Sequence, residues 1–243
     1  GLLVLLAGLA WSSLWGFEGD AVVVEGHSFS NVLTQYDDFK AGSAFEPSSL
    51  QPFTIWVDSF TAKFETGEVQ RGAARVFRAD VRIAHGNGAT ESARIEVNHP
   101  LAVDGTQVHL IGHGYAPVVT VHDPQGHIAF SGPVVFLPQD GNFTSSGVVK
   151  VPDARPDRLA FEGIFIPTAP VDTPMPQSLF PDVYNPELFL NAFHGPPKES
   201  TGVPENVYSL NTEGLTQYEA DGEPLRFRLQ PGELFELPEG RGT

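Results

Sequence analysis

Histidine is the residue type in this sequence best suited to chemistry, because a neutral imidazole binds metals and its charge changes near neutral pH. Five of the eight histidines fall within one stretch, at positions 99, 109, 113, 122 and 127. This grouping suggests a metal or haem site. However, strand parity would place His109 on a strand and His113 in a later loop, with His122 and His127 flanking a turn. These rings could converge only if two hairpins packed edge to edge, so we expect surface and turn histidines and no bound metal.

Two of these histidines lie in short motifs that suit contact with a partner. His99 precedes a proline, which favours an extended backbone, so the motif is either a strand-ending turn or a contact for a partner or haem. His113 lies between two glycines, as in a tight turn or an exposed recognition loop, and Tyr115 follows. We therefore treat His99, His113 and Tyr115 as candidate partner contacts. No residue is assigned to catalysis or to cofactor binding.

Catalytic motifs are absent from the sequence. It has no GxSxG, HExxH, Walker A or GxGxxG pattern. Ser28 follows His27 directly, but adjacency in sequence does not give the geometry of a catalytic triad. The pair Asp37-Asp38 matches no glycosidase pattern. Because the chain has no cysteine, it has no thiol nucleophile and no zinc–thiolate site. We expect a non-catalytic protein, and a hydrolase has no supporting site.

The charge balance restricts the partners. The chain has 14 basic and 30 acidic residues, a net charge of −16. Nucleic acid is disfavoured because phosphate binding needs a basic face. Lying flat on anionic lipid is disfavoured for the same reason. The acidity fits either simple solubility or a basic protein partner.

The first 17 residues carry no charge and predict the outer end of a transmembrane helix. As a helix they would span about 25 Å, somewhat less than a bilayer core. The chain begins with glycine, so we expect the start of the span to precede it. Trp11, Trp15 and Phe17 suit an aromatic belt, and the first basic residue is Lys40, which favours an outward-facing C-terminal side. A signal peptide and a buried core helix are the alternatives.

The remaining residues, 18–243, predict one mainly β, antiparallel, sandwich or barrel-like extracytoplasmic domain. The clearest hairpin covers 75–97, where apolar and charged residues alternate on either side of an Asn-Gly turn. Turns at 104–105 and 123–126 predict two more hairpins. The stretch 167–187 holds six prolines and predicts a long irregular excursion. Further strands are expected at 21–25, 53–66, 148–151, 159–166, 188–193, 206–210 and 225–229.

At the level of whole segments, the sequence resembles the extracytoplasmic domain of ResB/CcsB-type cytochrome c biogenesis proteins of system II. The best block is Asn98-His99-Pro100-Leu101 followed by Gly105 and Tyr115. The resemblance covers nearly the whole chain, and its ordered segments include GLAWSSLWGFEG, VVVEGHSFSNVLTQYDDF, EVNHPLAVDGTQVHLIGHGYAPVVTV, FSGPVVFLPQDGNFTSSGVVKVPDARP, LFPDVYNPELFLNAF and PLRFRLQPGELFELPEG.

The resemblance implies a multi-pass membrane protein that acts with a CcsA/ResC-type subunit. Together such proteins carry haem across the membrane and attach it to apocytochrome c, and this domain would dock the apocytochrome or support the complex. Haem is handled by the complex, and no haem ligand is carried over to this chain. Some relatives have cysteines that could handle apocytochrome thiols, so thiol reduction would here fall to another protein.

Two functions of different classes therefore compete. One is a membrane-bound assembly factor of a cytochrome c synthetase. The other is a membrane-tethered β-sandwich binding module for a glycan or a protein. The family resemblance is the only feature of the sequence that separates them.

Overall fold

The computed structural model is mainly β, and its paired strands run antiparallel, which confirms the coarse fold class. Among the described strands, each sheet is an open path and none closes on itself. The barrel-like alternative is therefore not found there. The structure describes residue 8 and residues 11–171, 177–197 and 206–243.

The chain forms two compact units that exchange residues along the sequence. Unit 1 comprises Gly1–Lys63 and Arg75–Gly112, and unit 2 comprises Phe64–Ala74 and His113–Thr243. The short stretch 64–74 is thus flanked on both sides by unit 1 but belongs to unit 2.

Unit 1 contains the first eight strands and two short 3-10 helices, Leu33–Gln35 and Pro47–Ser49. The strands are β1 (Phe17–Asp20), β2 (Ser28–Ser30), β3 (Asp38–Ala41), β4 (Phe53–Phe64), β5 (Ala74–His85), β6 (Thr90–Glu96), β7 (Leu101–Val103) and β8 (Thr106–Val108). Four of them form one sheet in the order β2-β4-β5-β6, and the pairs β1-β3 and β7-β8 form separate ladders. The last residue of β4 and the first residue of β5 fall in unit 2.

The predicted hairpin of β5 and β6 is confirmed, and it carries the core of unit 1. Its turn closes with the His85 N–H donating to the Ala89 carbonyl at 2.9 Å, and Gly88 takes the positive φ of 84° that glycine accepts readily. The period-two alternation on β5 buries three apolar side chains, because successive residues point to opposite faces. Ala79, Val81 and Ile83 are buried and share one cluster with Val103 of β7.

Unit 2 contains the remaining strands and a 3-10 turn at Pro238–Gly240. The strands are β9 (Val118–His122), β10 (Ile128–Pro133), β11 (Phe136–Pro138), β12 (Ser145–Val151), β13 (Arg158–Ile166), β14 (Glu187–Gly195), β15 (Thr216–Gln217), β16 (Glu219–Ala220), β17 (Glu223–Pro224) and β18 (Arg226–Leu229). The main sheet runs β11-β12-β13-β14-β15, and β18 also pairs with β14. The pairs β9-β10 and β16-β17 are separate ladders.

The first half of β13, in the main sheet, is covered on both faces. Leu159, Ala160 and Phe161 are consecutive on β13 and all are buried, although neighbours on a strand point to opposite faces. The sheet therefore supplies the core of unit 2 rather than a solvent-facing layer.

Most predicted strands are found, and two are not. The hairpins at 104–105 and 123–126 are confirmed by the pairs β7-β8 and β9-β10. The predicted strand at 21–25 is wrong, because residues 21–24 form no regular structure, Glu25 begins a turn, and the Val22 N–H donates to the Asp37 carboxylate at 2.8 Å. The predicted strand at 206–210 is also wrong, since residues 207–208 form a turn, residue 209 a bend, and neither end of the stretch is a strand.

The N-terminal helical residues are attached to unit 1 through backbone hydrogen bonds. Residues 11–15 are helical, and the chain then enters β1. The Ala44 N–H donates to the Leu14 carbonyl and the Gly42 N–H to the Gly16 carbonyl, both at 2.9 Å. No helix among the described residues is long and apolar enough to cross a bilayer. Of the membrane span predicted for residues 1–17, residues 1–7, 9 and 10 lie outside the described residues, so the span stays a prediction, while its last residue, Phe17, begins β1.

We expect Gly42→Ala to destabilise unit 1 by roughly 1–3 kcal/mol, because overpacking costs that much. A Cβ at position 42 would overlap the Leu14 carbonyl oxygen and separate the helical residues from the loop. Gly112→Ala is the matched control, since nothing lies within 4 Å of its added Cβ. Urea unfolding followed by tryptophan fluorescence tests this, because all three tryptophans belong to unit 1. Equal stability losses in the two variants would contradict the expectation.

Candidate functional site

Of the three predicted contact residues, His99 lies in unit 1 and is exposed in the turn between β6 and β7. Its N–H donates to the Glu96 carbonyl at 3.0 Å, and Asn98 turns the chain with a φ of 63°. Its ring Nδ1 is 3.3 Å from the Val97 carbonyl oxygen. The structure therefore places His99 in a strand-ending turn, which leaves its predicted contact with a partner as a prediction.

His113 and Tyr115 lie together in unit 2, inside a cluster of aromatic rings. The His113 ring stacks on Phe143 with centroids 4.3 Å apart and meets Tyr115 edge-on at 5.8 Å. Phe64 lies 5.8 Å from His113, 5.9 Å from Phe143 and 6.3 Å from Phe180. We call these five residues (Phe64, His113, Tyr115, Phe143 and Phe180) the aromatic cluster.

The register of the main sheet explains why distant parts of the chain meet there. Ser145 of β12 pairs with Phe165 of β13, and Phe165 pairs with Leu188 of β14. Residues just before 145, just after 165 and just before 188 must therefore emerge at the same end of the sheet. These are the turn that carries Phe143 and the predicted proline-rich excursion.

A carboxylate-capped turn sets the position of Phe143. The Asp140 carboxylate accepts the N–H groups of Asn142 at 2.9 Å and Thr144 at 3.0 Å, which is a typical role for Asp in a turn. Phe143 takes a φ of 60°, an uncommon conformation for a bulky residue. The ring stacking on His113 is thus accompanied by a strained backbone, and such strain is found preferentially at functional positions.

The proline-rich stretch 167–187 is held in place by hydrogen bonds that side chains donate to its backbone carbonyls. We call its described C-terminal part, residues 177–186, the 177–186 segment. Four of its carbonyls, at residues 178, 180, 181 and 182, accept hydrogen bonds from the side chains of Asn142 (3.1 Å), Ser178 (2.7 Å), Tyr115 (2.6 Å) and Thr168 (2.5 Å), respectively. The irregular backbone is therefore held by specific bonds rather than by a sheet ladder.

The 177–186 segment buries some of its apolar side chains and exposes others. Phe180 is buried beneath the segment, with the Arg71 guanidinium 5.0 Å from its ring centroid. Leu179 is 62% exposed and Tyr184 is 60% exposed. A fixed backbone that presents apolar side chains to solvent suits the binding of another molecule, because little ordering remains to be done on contact.

The aromatic cluster is electrically neutral near pH 7. Burial lowers the pKa of His113, and this effect exceeds the opposing influences of the Gly114 backbone and the Asp182 charge. Burial, reinforced by Asp182, raises the pKa of Tyr115 far above its usual value. Among the described residues, no group of three or more His, Asp or Glu side chains is placed to hold a metal ion.

The sequence alone did not single out Phe64, Phe143 or Phe180. Phe143 lies in the sequence Asn-Phe-Thr, which matches a glycosylation sequon that arises often by chance and says nothing about the phenylalanine. The Asp140-Gly-Asn sequence before it is the one local signal for a tight turn there. Phe64 carries no such signal, since its neighbours along β4 belong to unit 1.

Unit 2 thus joins the aromatic cluster, through the Tyr115 hydroxyl, to a hydrogen-bonded segment that exposes Leu179 and Tyr184. The chain belongs to the ResB-like family, whose model matches residues 1–239. The family is associated with cytochrome c biogenesis, so the resemblance inferred from the sequence is confirmed. Neither characterised protein sequences nor solved structures give a significant match to the chain.

We expect unit 2 to lose stability as the pH falls below neutrality, because the half-buried ring of His113 favours its neutral form. Its pKa is lower in the folded chain than the unfolded value of about 6.5. The folded state is therefore fully favoured above that unfolded value, and the advantage is lost as pH falls through the folded pKa. Hydrogen exchange of the β13 amides between pH 7.5 and 5.5 measures this in the wild type and in His113→Phe. Identical pH dependence in the two proteins would contradict the expectation.

Proposed function

We propose that this chain is the extracytoplasmic part of a membrane-bound assembly factor of the system II cytochrome c synthetase. In this role it acts with a CcsA/ResC-type subunit in delivering haem and attaching it covalently to apocytochrome c. The observation that carries the proposal is the family match over residues 1–239, which covers both units.

The proposed role is non-catalytic. The family implies a CcsA-type partner, to which the chemistry of haem attachment would fall. Two features of unit 2 support a binding role: the aromatic cluster is neutral, and the 177–186 segment presents exposed apolar side chains on a fixed backbone.

The membrane location is likewise part of the proposal. The family is generally membrane-associated. The uncharged run of residues 1–17 supports a helix that enters the bilayer, with Trp11 (66% exposed) and Trp15 (45% exposed) at its polar end. The backbone bonds of Gly42 and Ala44 to this segment would then fix the orientation of unit 1 relative to the membrane surface.

The 177–186 segment is the surface we propose for docking apocytochrome c. An apocytochrome is unfolded before haem attachment and exposes apolar side chains, which Leu179, Val183 and Tyr184 could contact. The net charge of −16 would attract basic stretches of the same chain from a distance.

Deletion of the gene is expected to abolish covalent c-type cytochromes, measured by haem staining of denatured proteins. Complementation with Leu179→Ser/Tyr184→Ser should restore staining only partly, because the exposed apolar contacts are lost. The matched control is Val207→Ser, a similarly exposed apolar residue of unit 2 outside the segment (63% exposed). Normal staining in the deletion strain would contradict the assembly role. Full restoration by the double variant, with the protein at equal level, would instead contradict only the docking surface.

Binding of a basic apocytochrome peptide is expected to weaken as salt rises, because ions screen attraction between exposed charges. Isothermal titration of the purified chain at low and at high salt measures the change in Kd. A peptide with its lysines replaced by glutamine is the control and should show little salt dependence. An unchanged Kd for the basic peptide would contradict the electrostatic part of the proposal.

A further inference from the structure

His85 lies between two carboxylates of unit 1. Its ring Nδ1 is 3.0 Å and 3.1 Å from the two carboxylate oxygens of Asp104. Its Nε2 is 3.4 Å from a carboxylate oxygen of Glu91. The imidazole is mostly covered, with 19% of its side chain exposed, so the contacts are not those of a freely rotating surface histidine.

The two carboxylates come from different elements. Glu91 is on β6, across the hairpin from the end of β5 that carries His85. Asp104 is in the turn that joins β7 to β8, where it takes a φ of 47° beside Gly105. His85 therefore links the turn of one hairpin to the turn of the next.

The protonation state of the ring decides how many of these contacts attract. A protonated imidazole has an N–H on both nitrogens and can donate to Asp104 and Glu91 at once. A neutral imidazole keeps one N–H, and the lone pair of its other nitrogen then faces a negatively charged oxygen. Loss of the proton also removes the positive charge of the donor, so any hydrogen bond that the neutral ring still donates to the Asp104 carboxylate is weaker than the ion pair.

The β7–β8 hairpin has a second attachment that does not titrate. Val103 is fully buried in the apolar cluster of unit 1, beside partly buried Leu101 and Val108. Loss of the His85 contacts therefore leaves the hairpin packed and loosens mainly its turn at 104–105.

We propose that His85 is a protonation-dependent clasp that fixes the 104–105 turn to the end of the β5–β6 hairpin. The clasp is closed when the ring is protonated and opens when the ring loses its proton. It acts on the hairpin that directly follows the His99 turn, so it also restrains one end of the segment on which that exposed histidine lies. The proposal is independent of the proposed function in cytochrome c biogenesis.

The direction of the pH effect follows from the contacts. The hydrogen bond that the His85 ring donates to the Asp104 carboxylate is the largest cause and raises the pKa of His85. Burial lowers this pKa, but the Asp104 charge and Glu91 add to the rise, so the net shift is upward. Because the folded pKa exceeds the unfolded value, the stabilisation is fully present below the unfolded pKa of about 6.5. It is lost as pH rises through the folded pKa. This direction is opposite to that of His113.

Hydrogen exchange of the amides at positions 105 and 106, combined with an NMR titration of the His85 ring, tests the clasp. After correction for the intrinsic pH dependence of exchange, we expect both amides to exchange about twofold to fivefold faster as the ring loses its proton, the range that exposed ion pairs support. In His85→Gln the corrected rates should be independent of pH. In Asp104→Asn the pKa of His85 should fall.

Two variants keep the result decisive. Glu91→Gln changes an exposed side chain and should reduce the pKa of His85 without unfolding unit 1. His127→Gln is the matched control, because His127 also pairs with a turn aspartate, Asp123, at 3.3 Å, but lies in unit 2. It should leave exchange at positions 105 and 106 unchanged. Corrected exchange with the same pH profile in wild type and His85→Gln would overturn the proposal, as would a His85 pKa unaffected by both carboxylate variants.

Discussion

The burial of β13 on both faces is the constraint from which the site in unit 2 follows. Leu159, Ala160 and Phe161 of β13, between β12 and β14, are all buried. A shift in register by one residue would move each of these side chains to the opposite, differently packed face of the sheet. Gly163 tightens the constraint, since a side chain there would overlap the Phe189 carbonyl oxygen of β14. With the register fixed, Ser145, Phe165 and Leu188 form one row, and the loops beyond that row are brought to a common end of the sheet. These loops carry Phe143 and Phe180, two members of the aromatic cluster.

Local patterns predicted the parts of the fold that local physics determines. The hairpin of β5 and β6 follows from alternation and an Asn-Gly turn, both of which act within a few residues. The run Ala21-Val22-Val23-Val24 shows where such reasoning fails. Its β propensity is high, but the Val22 N–H donates to the Asp37 side chain, and none of the described strands pairs with this run. A high β propensity means that a residue fits a pleated sheet, but a strand also needs a neighbouring strand to pair with, and propensity does not provide one.

The part of the candidate site that depends on local sequence was also predictable. The glycines on either side of His113 indicate a tight turn, and Tyr115 lies two residues further along the chain. Their surroundings depend on long-range contacts: the Tyr115 hydroxyl reaches the Pro181 carbonyl, and Phe64 arrives from a strand whose other residues belong to unit 1. The histidine grouping between 99 and 127 was a poor guide. These five histidines divide between the two units. Of the two histidines with opposite pKa shifts, His85 lies outside this grouping and has its pKa raised by carboxylates, whereas His113 has its pKa lowered by burial.

The stretch 64–74 gives the chain an unusual order of assembly. A ribosome releases the N-terminal residues first, so β4 and β5 can pair while most of unit 2 is still unmade. The contact of Phe64 with Phe143 and that of Arg71 with Phe180 can form only after the later residues have been synthesised. A polypeptide that stopped at Gly112 would contain all of unit 1, yet its longest hairpin would end in a phenylalanine with no aromatic partner from unit 2. All residues of unit 1 are thus synthesised before Phe64, at the end of the β4–β5 hairpin, can make its contacts with the aromatic rings of unit 2.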